Sequence, residues 1–339
     1  MIINPTGFLF GNSAQFAIKN ELALPFAGQE KKVAFSMIEI IENQKLEIGY
    51  VKDCFHSPLY SNQIRNITTA SPLAGLPEGS LIMGILNVTP DSFSDGGKHY
   101  SISTAIRAAH KMVEDGATVI DIGGESTRPG SQPVSTEEEC SRIIPVVKAL
   151  KGCGAYLSVD TRHAETMKYA LDAGADLIND ISALDDRESA QVISQAQCPV
   201  ILMHMRGNPQ TMHQYKNYNN VLVDVFAELQ RKIQKAVNAG IRRENVILDP
   251  GIGFAKNNFQ NMELLKKFAA FANLGCRLLL AVSRKRFIRE IAGKMNFEEY
   301  DAATMIASSP AFYFGNSIIR VHNVPAAVQS MKMWQTLYG

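Results

Sequence analysis

From residue 80 onward the chain repeats one pattern eight times: a short apolar run, then a stretch in which apolar residues recur at helical spacing. Continuous apolar runs suit strands buried on both faces, and helical sequence between them is how parallel strands are connected. Strands are expected over 81–88, 117–123, 155–160, 175–180, 199–204, 245–250, 277–282 and 316–321. The helical stretches include 101–115, 136–150, 163–173, 221–239, 259–272 and 324–337. Eight such units match an α/β fold of the (β/α)8 TIM-barrel kind, whose typical size is about 250 residues. A doubly wound open sheet is the structural competitor, because periodicity alone does not close a barrel.

What ends each run is more informative than the run itself. The strands close on Asn87, Asp121, Asp160, Asn179-Asp180, His204, Asp249, Ser283-Arg284-Lys285 and Arg320 with His322. In a parallel barrel these ends meet at one rim, and that rim carries the active site. Asp and Asn also end strands as helix N-caps, which accounts for any one of them singly. Capping does not account for Lys and Arg after strands seven and eight, so a shared polar site is the better reading. The first strand shows the switch most abruptly. After Leu86 come Asn87, Thr89, Asp91, Ser92, Ser94 and Asp95, with Pro90, Gly96 and Gly97 as breakers. Such a loop is read as a lid whose glycines permit closure.

Residues 1–79 lack this rhythm and are read as an extension to the barrel domain at 80–339. A short helix is expected over 14–22, two strands over 33–41 and 45–51 joined by a turn at 42–44, and a Pro/Gly-rich linker over 71–79. A segment below about 80 residues has a thin core and should lean on the barrel or on another subunit. Lys+Arg 34 against Asp+Glu 33 argues against broad nucleic-acid or membrane-surface binding. The five cysteines are scattered without metal-ligand spacing, and no signal-like or membrane-length apolar run is present, so a soluble cytoplasmic protein with reduced thiols is expected.

Four stretches carry chemistry. Asp121 to Ser131 combines Gly123 and Gly124, which let backbone approach a ligand, with Ser126, Thr127 and Arg128 as donors to an anion and Pro129-Gly130 as a turn. Ser283 to Arg286 and Arg320 to His322 place cations after strands seven and eight, a recurrent phosphate site in such barrels. Arg286 also reads as a solvated helix-start residue. Asp249 to Lys256 joins a strand-end carboxylate to two glycines, Phe254 and a lysine; with Asp160 and Asn179 it offers acceptors and an amide to a heterocycle bearing ring N–H and amino groups. Phe254 reads equally as a core aromatic, and Asp160 as a cap for the helix near Arg162. His204 has no partner at ligand spacing, and no Ser or Cys sits in an activating motif.

The stretches 87–97 and 121–130, together with Ser158 to Thr161, Ile178 to Asp180, Asp249 to Gly251, Ser283 to Lys285 and Arg320 to His322, resemble the dihydropteroate synthases, pterin-binding barrel enzymes of folate biosynthesis. The resemblance spans 80–337. It implies a transferase that condenses 6-hydroxymethyl-7,8-dihydropterin diphosphate with p-aminobenzoate, releasing pyrophosphate and giving 7,8-dihydropteroate. It implies that Asp160, Asn179, Asp249 and Lys285 hold the pterin, with Asp121 and Ser283 in the same site. Asn87, Arg320 and His322 would bind the diphosphate, with Mg²⁺ bridging Asn87 and diphosphate oxygens. Thr127, Arg128, Pro129, Phe93 and Phe254 would form the p-aminobenzoate site, and Arg286 is a candidate contact to its carboxylate. Asn87, Asp160, Lys285 and Arg320 are the catalytic set. Sulfonamide sensitivity and a homodimer are also implied.

Four positions depart from the family's commonest pattern: Ile252 and Ala255 stand where many members have Phe and Gly, Arg286 where some have Ser, and Asn323 where Asp is frequent. Two other readings were weighed. A methyltransferase domain using methyltetrahydrofolate would share the pterin residues but has no need of Thr127-Arg128-Pro129 or of Arg320 and His322. A non-catalytic pterin-binding paralogue should have lost some of the strand-end set.

Overall fold

A computed structural model describes residues 1–42, 45–54, 60–89, 98–126, 133–294 and 296–338. The chain begins with β1 (Ile2–Phe10), α1 (Gly11–Lys19), β2 (Leu24–Pro25), β3 (Val33–Glu42), β4 (Lys45–Tyr50), α2 (Val51–Cys54) and α3 (Ser61–Thr68). β3 is the centre of a small antiparallel sheet, pairing with β1 along one side and with β2 and β4 along the other.

The repeating part supplies β5 (Leu81–Asn87), α4 (Lys98–Glu114), β6 (Val119–Gly123), α5 (Thr136–Leu150), β7 (Tyr156–Asp160), α6 (Ala164–Ala173), β8 (Leu177–Asp180) and α7 (Ser189–Ala196). It continues with β9 (Val200–Met203), α8 (Val221–Asn238), β10 (Val246–Asp249), α9 (Asn258–Lys266), β11 (Arg277–Ala281), α10 (Arg286–Ala292), α11 (Asp301–Ser308), β12 (Ser317–Val321) and α12 (Val324–Tyr338). β5 to β12 are all parallel and close into a barrel, sealed where Ile318 to Val321 of β12 pair with Leu81 to Gly84 of β5. The open-sheet alternative is thereby excluded. The helix expected over 259–272 divides: α9 stops at Lys266 and a 3-10 segment, Phe268–Leu274, follows. All seven residues of that segment are buried, so it lacks the polar face of a regular amphipathic helix.

Strand periodicity positions the site. Leu81 and Met83, Val119, Leu177, Ile201, Ile247, Leu279 and Ala281, and Ile318 form one apolar cluster, the barrel interior. Their neighbours, such as Ile82, Ile120, Leu157, Ile178, Leu248, Leu280 and Ile319, belong to a second cluster with the helices. Side chains alternate with a period of two along a strand. Continuing the interior series by two therefore places Asn87, Asp121, Asp160, Asn179, Asp249, Ser283 and Arg320 above that apolar floor.

The opposite mouth is plugged by 71–79. Ala74 and Leu76 enter the interior cluster. Arg277, fully buried at the start of β11, donates to the carbonyls of Leu73 (2.9 Å), Pro77 (3.0 Å) and Gly79 (2.7 Å). The extension packs beneath this plug. Phe26 meets Phe314 at 4.8 Å between centroids, Phe8 meets Tyr313 at 5.0 Å, and Phe10 meets Tyr338 at 5.0 Å. Asn273 is bonded to Ile3 in both directions, at 3.3 and 2.6 Å. Residues 1–68 thus lean on the barrel and share one continuous apolar cluster with it.

Candidate active site

Three groups of side chains occupy the rim. The first is a charged node across β6, β7, β8 and β12. Arg320 donates from Nε to Asp121 Oδ2 (2.6 Å) and from Nη2 to Asp160 Oδ2 (2.9 Å). Asp121 also accepts from Asn179 Nδ2 (3.0 Å) and Ser158 Oγ (2.6 Å), so this fully buried carboxylate is saturated and orients its neighbours. Asp160 keeps more of its acceptor capacity. Burial pushes its carboxyl up to about 7, opposed by Arg320 and assisted by repulsion from Asp121. It caps no helix: α6 starts after His163 without a side-chain cap, and Asp186 accepts the Ala164 N–H instead. Asp180 points away from the node and serves Ser182 and Leu184 in its own turn.

The second group is the loop after β10 with Lys285. Asp249 accepts the Gly251 N–H at 2.7 Å, and burial raises its pKa against the pull of Lys285. Lys285 donates to the Ile252 carbonyl, and its ammonium lies 4.6 Å from the centre of the Phe254 ring. Phe254 is therefore a half-buried wall of the site rather than part of the core. Burial lowers Lys285 to about 8, which Asp249 opposes.

The third group is Ser283 with His322. The Ser283 hydroxyl accepts the His322 backbone N–H (3.1 Å) and lies 2.8 Å from ring Nδ1. A hydroxyl that accepts the first and donates to the second orients the ring with its proton on Nε2. Asn87 ends β5 opposite Gly123; a Cβ at that glycine would sit 3.9 Å from both Asn87 Oδ1 and Asp160 Oδ2.

The cations of 284–286 separate. Lys285 enters the site. Arg284, at φ +54°, turns back to Asp301 with contacts of 2.7 and 2.8 Å. Arg286 opens α10 with its side chain 82% exposed and paired to Glu290, so it does not join the cluster and takes the helix-start reading. Asn323 donates to Asp301 (2.8 Å) and accepts the Ala326 N–H (3.0 Å), a pairing in which a carboxylate at 323 would repel Asp301. Phe93, Thr127, Arg128 and Pro129 lie outside the described residues. The frame beside the last three is described: Glu125 accepts from Arg162 at 2.9 and 3.0 Å and from the Val134 N–H at 3.2 Å, bridging the two flanks of 127–132. Sequence reasoning did not single out Ser158 or Glu125. Ser158 was accessible through the same period of two that marks Asp160.

Comparisons with known proteins agree with this geometry. The family model described as pterin binding enzyme matches residues 83–322. Dihydropteroate synthase of Bacillus subtilis is 43% identical over 81% of this chain and 95% of its own length. That of Escherichia coli is 42% identical over 74% of this chain and 89% of its own. Among solved structures, a Yersinia pestis dihydropteroate synthase in a sulfonamide drug complex superposes with TM-score 0.72 at 39% identity, covering 76% of this chain and 94% of that one. A Xanthomonas albilineans enzyme in complex with 7,8-dihydropteroate gives TM-score 0.70 at 36% identity, covering 77% and 98%. The strand ends that build the rim all fall within the matched span, and the chain belongs to the pterin-binding enzymes, among the dihydropteroate synthases.

Proposed function

We propose that this rim joins 6-hydroxymethyl-7,8-dihydropterin diphosphate to p-aminobenzoate. The observation that carries the reading is its division into two zones. Asp160, Asn179 and Asp249 with Lys285 make up one set, Arg320 with the Ser283–His322 pair makes up the other, and the Arg320–Asp160 bond joins the two. The first zone suits the ring N–H and amino groups of a pterin, the second a diphosphate. In the reaction the C–O bond between the methylene and the diphosphate breaks, and pyrophosphate leaves with the electron pair. The amine nitrogen of p-aminobenzoate forms the new C–N bond and releases a proton. Arg320, His322 and Ser283 bind and orient the departing group, while Asp160, Asn179, Asp249 and Lys285 fix the ring from which it departs. Phe254, with Phe93, Thr127, Arg128 and Pro129, is assigned to the second substrate.

The donor set fits Mg²⁺. Asn87 offers a single hard amide oxygen at the phosphate side of the rim, and magnesium is typically held by one or two protein oxygens plus substrate phosphate. Bound there, it would supply charge neutralisation on the diphosphate.

A cytoplasmic homodimer completes the reading. The four cysteines with described side chains are unpaired, which suits a reducing compartment. No helix among the described residues is long and apolar enough to cross a membrane. Ile291, Ile306 and Met333 are exposed on the successive helices α10, α11 and α12, giving an apolar surface for a second copy. The experiment is pyrophosphate release from the pterin diphosphate with and without p-aminobenzoate and Mg²⁺. Release that needs both supports the assignment, and no turnover by folded protein sinks it.

A further inference from the structure

One fully buried cation near the rim has no part in the reaction as assigned. Lys256, at the end of the loop after β10, donates to the carbonyls of Gly251 (2.9 Å) and Phe254 (3.0 Å), and its Nζ lies 2.9 Å from His204 Nδ1. The chain of contacts continues outward. His204 Nε2 meets Glu228 Oε2 of α8 at 2.9 Å, and Glu228 Oε1 accepts from Arg206 Nε at 2.9 Å. Charge and proton count agree along this line. The ammonium donates to Nδ1, so the imidazole is neutral and carries its proton on Nε2, where it donates to the carboxylate. Burial, with the neighbouring Lys256 charge, lowers His204 to about 3; burial opposes ionisation of Glu228, but the bonds from His204 and Arg206 hold it at about 2.

The two carbonyls that Lys256 grips flank Ile252 and Phe254. Those are the groups that seat Lys285, one through a carbonyl and the other through its ring. The loop is also pressed against the end of β9, where a Cβ at Gly251 (φ +67°) would meet the His204 carbonyl oxygen at 1.8 Å. We propose that Lys256, anchored through His204 to Glu228, is the positioning residue of the pterin wall: it fixes the 249–256 loop so that Asp249, the Ile252 carbonyl and the Phe254 ring present Lys285 to the heterocycle. Lys256 touches no substrate and acts through Lys285 and Asp249. A flexible point charge with three donors suits a site that must hold two carbonyls and a ring nitrogen together. Burial lowers the Lys256 pKa to about 7, with Asp249 opposing the shift, so the wall is held by a group that is costly to keep charged there.

This inference rests on the pterin assignment above, and the experiment separates the two. Calorimetry measures the Kd of the pterin diphosphate, and steady-state kinetics measures the KM of p-aminobenzoate at saturating first substrate. For Lys256→Met, the Kd should rise on the order of 10- to 100-fold, the scale of a misplacement near 1 Å, while the KM of p-aminobenzoate, which the loop reaches only through Phe254, rises by a clearly smaller factor. A folded variant with the parent Kd, or with equal losses for both substrates, overturns the proposal, even when its melting temperature falls. Glu228→Gln covers the case in which Lys256→Met fails to fold. It leaves the lysine in place but weakens its anchor, and should reproduce the split at about three- to tenfold; an unchanged Kd there overturns the proposal equally. If the parent enzyme itself does not bind the pterin diphosphate, it is the functional assignment that fails.

Discussion

Both mouths of the barrel hold an arginine, and the two are used in opposite ways. Arg277 sits at the closed end among backbone carbonyls of 73–79, with no carboxylate partner among the described residues. Arg320 sits at the open end between Asp121 and Asp160. A guanidinium whose two terminal nitrogens bond only neutral carbonyls holds a segment in place. One between two carboxylates keeps residual charge and partly satisfied partners close to the space where a ligand enters. The lower end is thus built for stability and the upper for exchange of partners, the division of labour expected of this fold.

Breaking the upper arginine should have the largest effect. Arg320→Met removes a diphosphate donor and leaves Asp121 and Asp160 facing each other, so kcat/KM should fall by about 10³-fold or more while the protein still folds. Activity within tenfold of the parent would erase the contrast. At the lower end, Arg277→Met strands three carbonyls, at roughly 1–3 kcal/mol for each group left without a partner. Chemical denaturation should show a loss of about 3 kcal/mol or more, with the KM of both substrates unchanged in the folded fraction.

The pH dependence sharpens the comparison further. Asp160 is raised to about 7 from an ordinary 3.8, so between those values the folded chain keeps a proton that the unfolded chain has released. Its contribution to stability is therefore full below about pH 4 and declines as pH rises to about 7. Asp160→Asn removes the titrating group, so its melting temperature relative to the parent should climb between pH 4 and pH 7 and then level off. A gap that stays constant would mean that Arg320 keeps the carboxylate ionised throughout. The smallest effect is expected at Ala255, which holds a left-handed φ of +50°. Ala255→Gly relieves that strain and should raise stability by about 1 kcal/mol in denaturant titration.

The barrel was legible because its strands are continuous apolar runs and because polar residues end them at a constant phase. That phase also foretold the node, since Asp121, Asp160 and Arg320 extend the interior series of their strands. Other elements left weaker traces. β1 carries Pro5 and Gly7 inside its run, which hid it; α3 is mostly polar; and the helix expected over 14–22 begins earlier, at Gly11. Among the cations after strand seven, Arg284 turns to Asp301 and Arg286 pairs with Glu290 one turn along its own helix, which leaves Lys285 to the site. Glu228 lies on an outer helix face with no local signal of its contact to His204.

The clamp on 73–79 has a consequence for how freely this chain can change. Arg277 recognises only peptide oxygens, which every residue type supplies. The side chains at the accepting positions Leu73 and Pro77 are thus free to drift as far as this contact is concerned, provided the backbone keeps its course, whereas Gly79 is held to glycine by its φ of +98°. The requirement for clamping these three carbonyls falls on one codon, about two hundred residues downstream of the segment it secures.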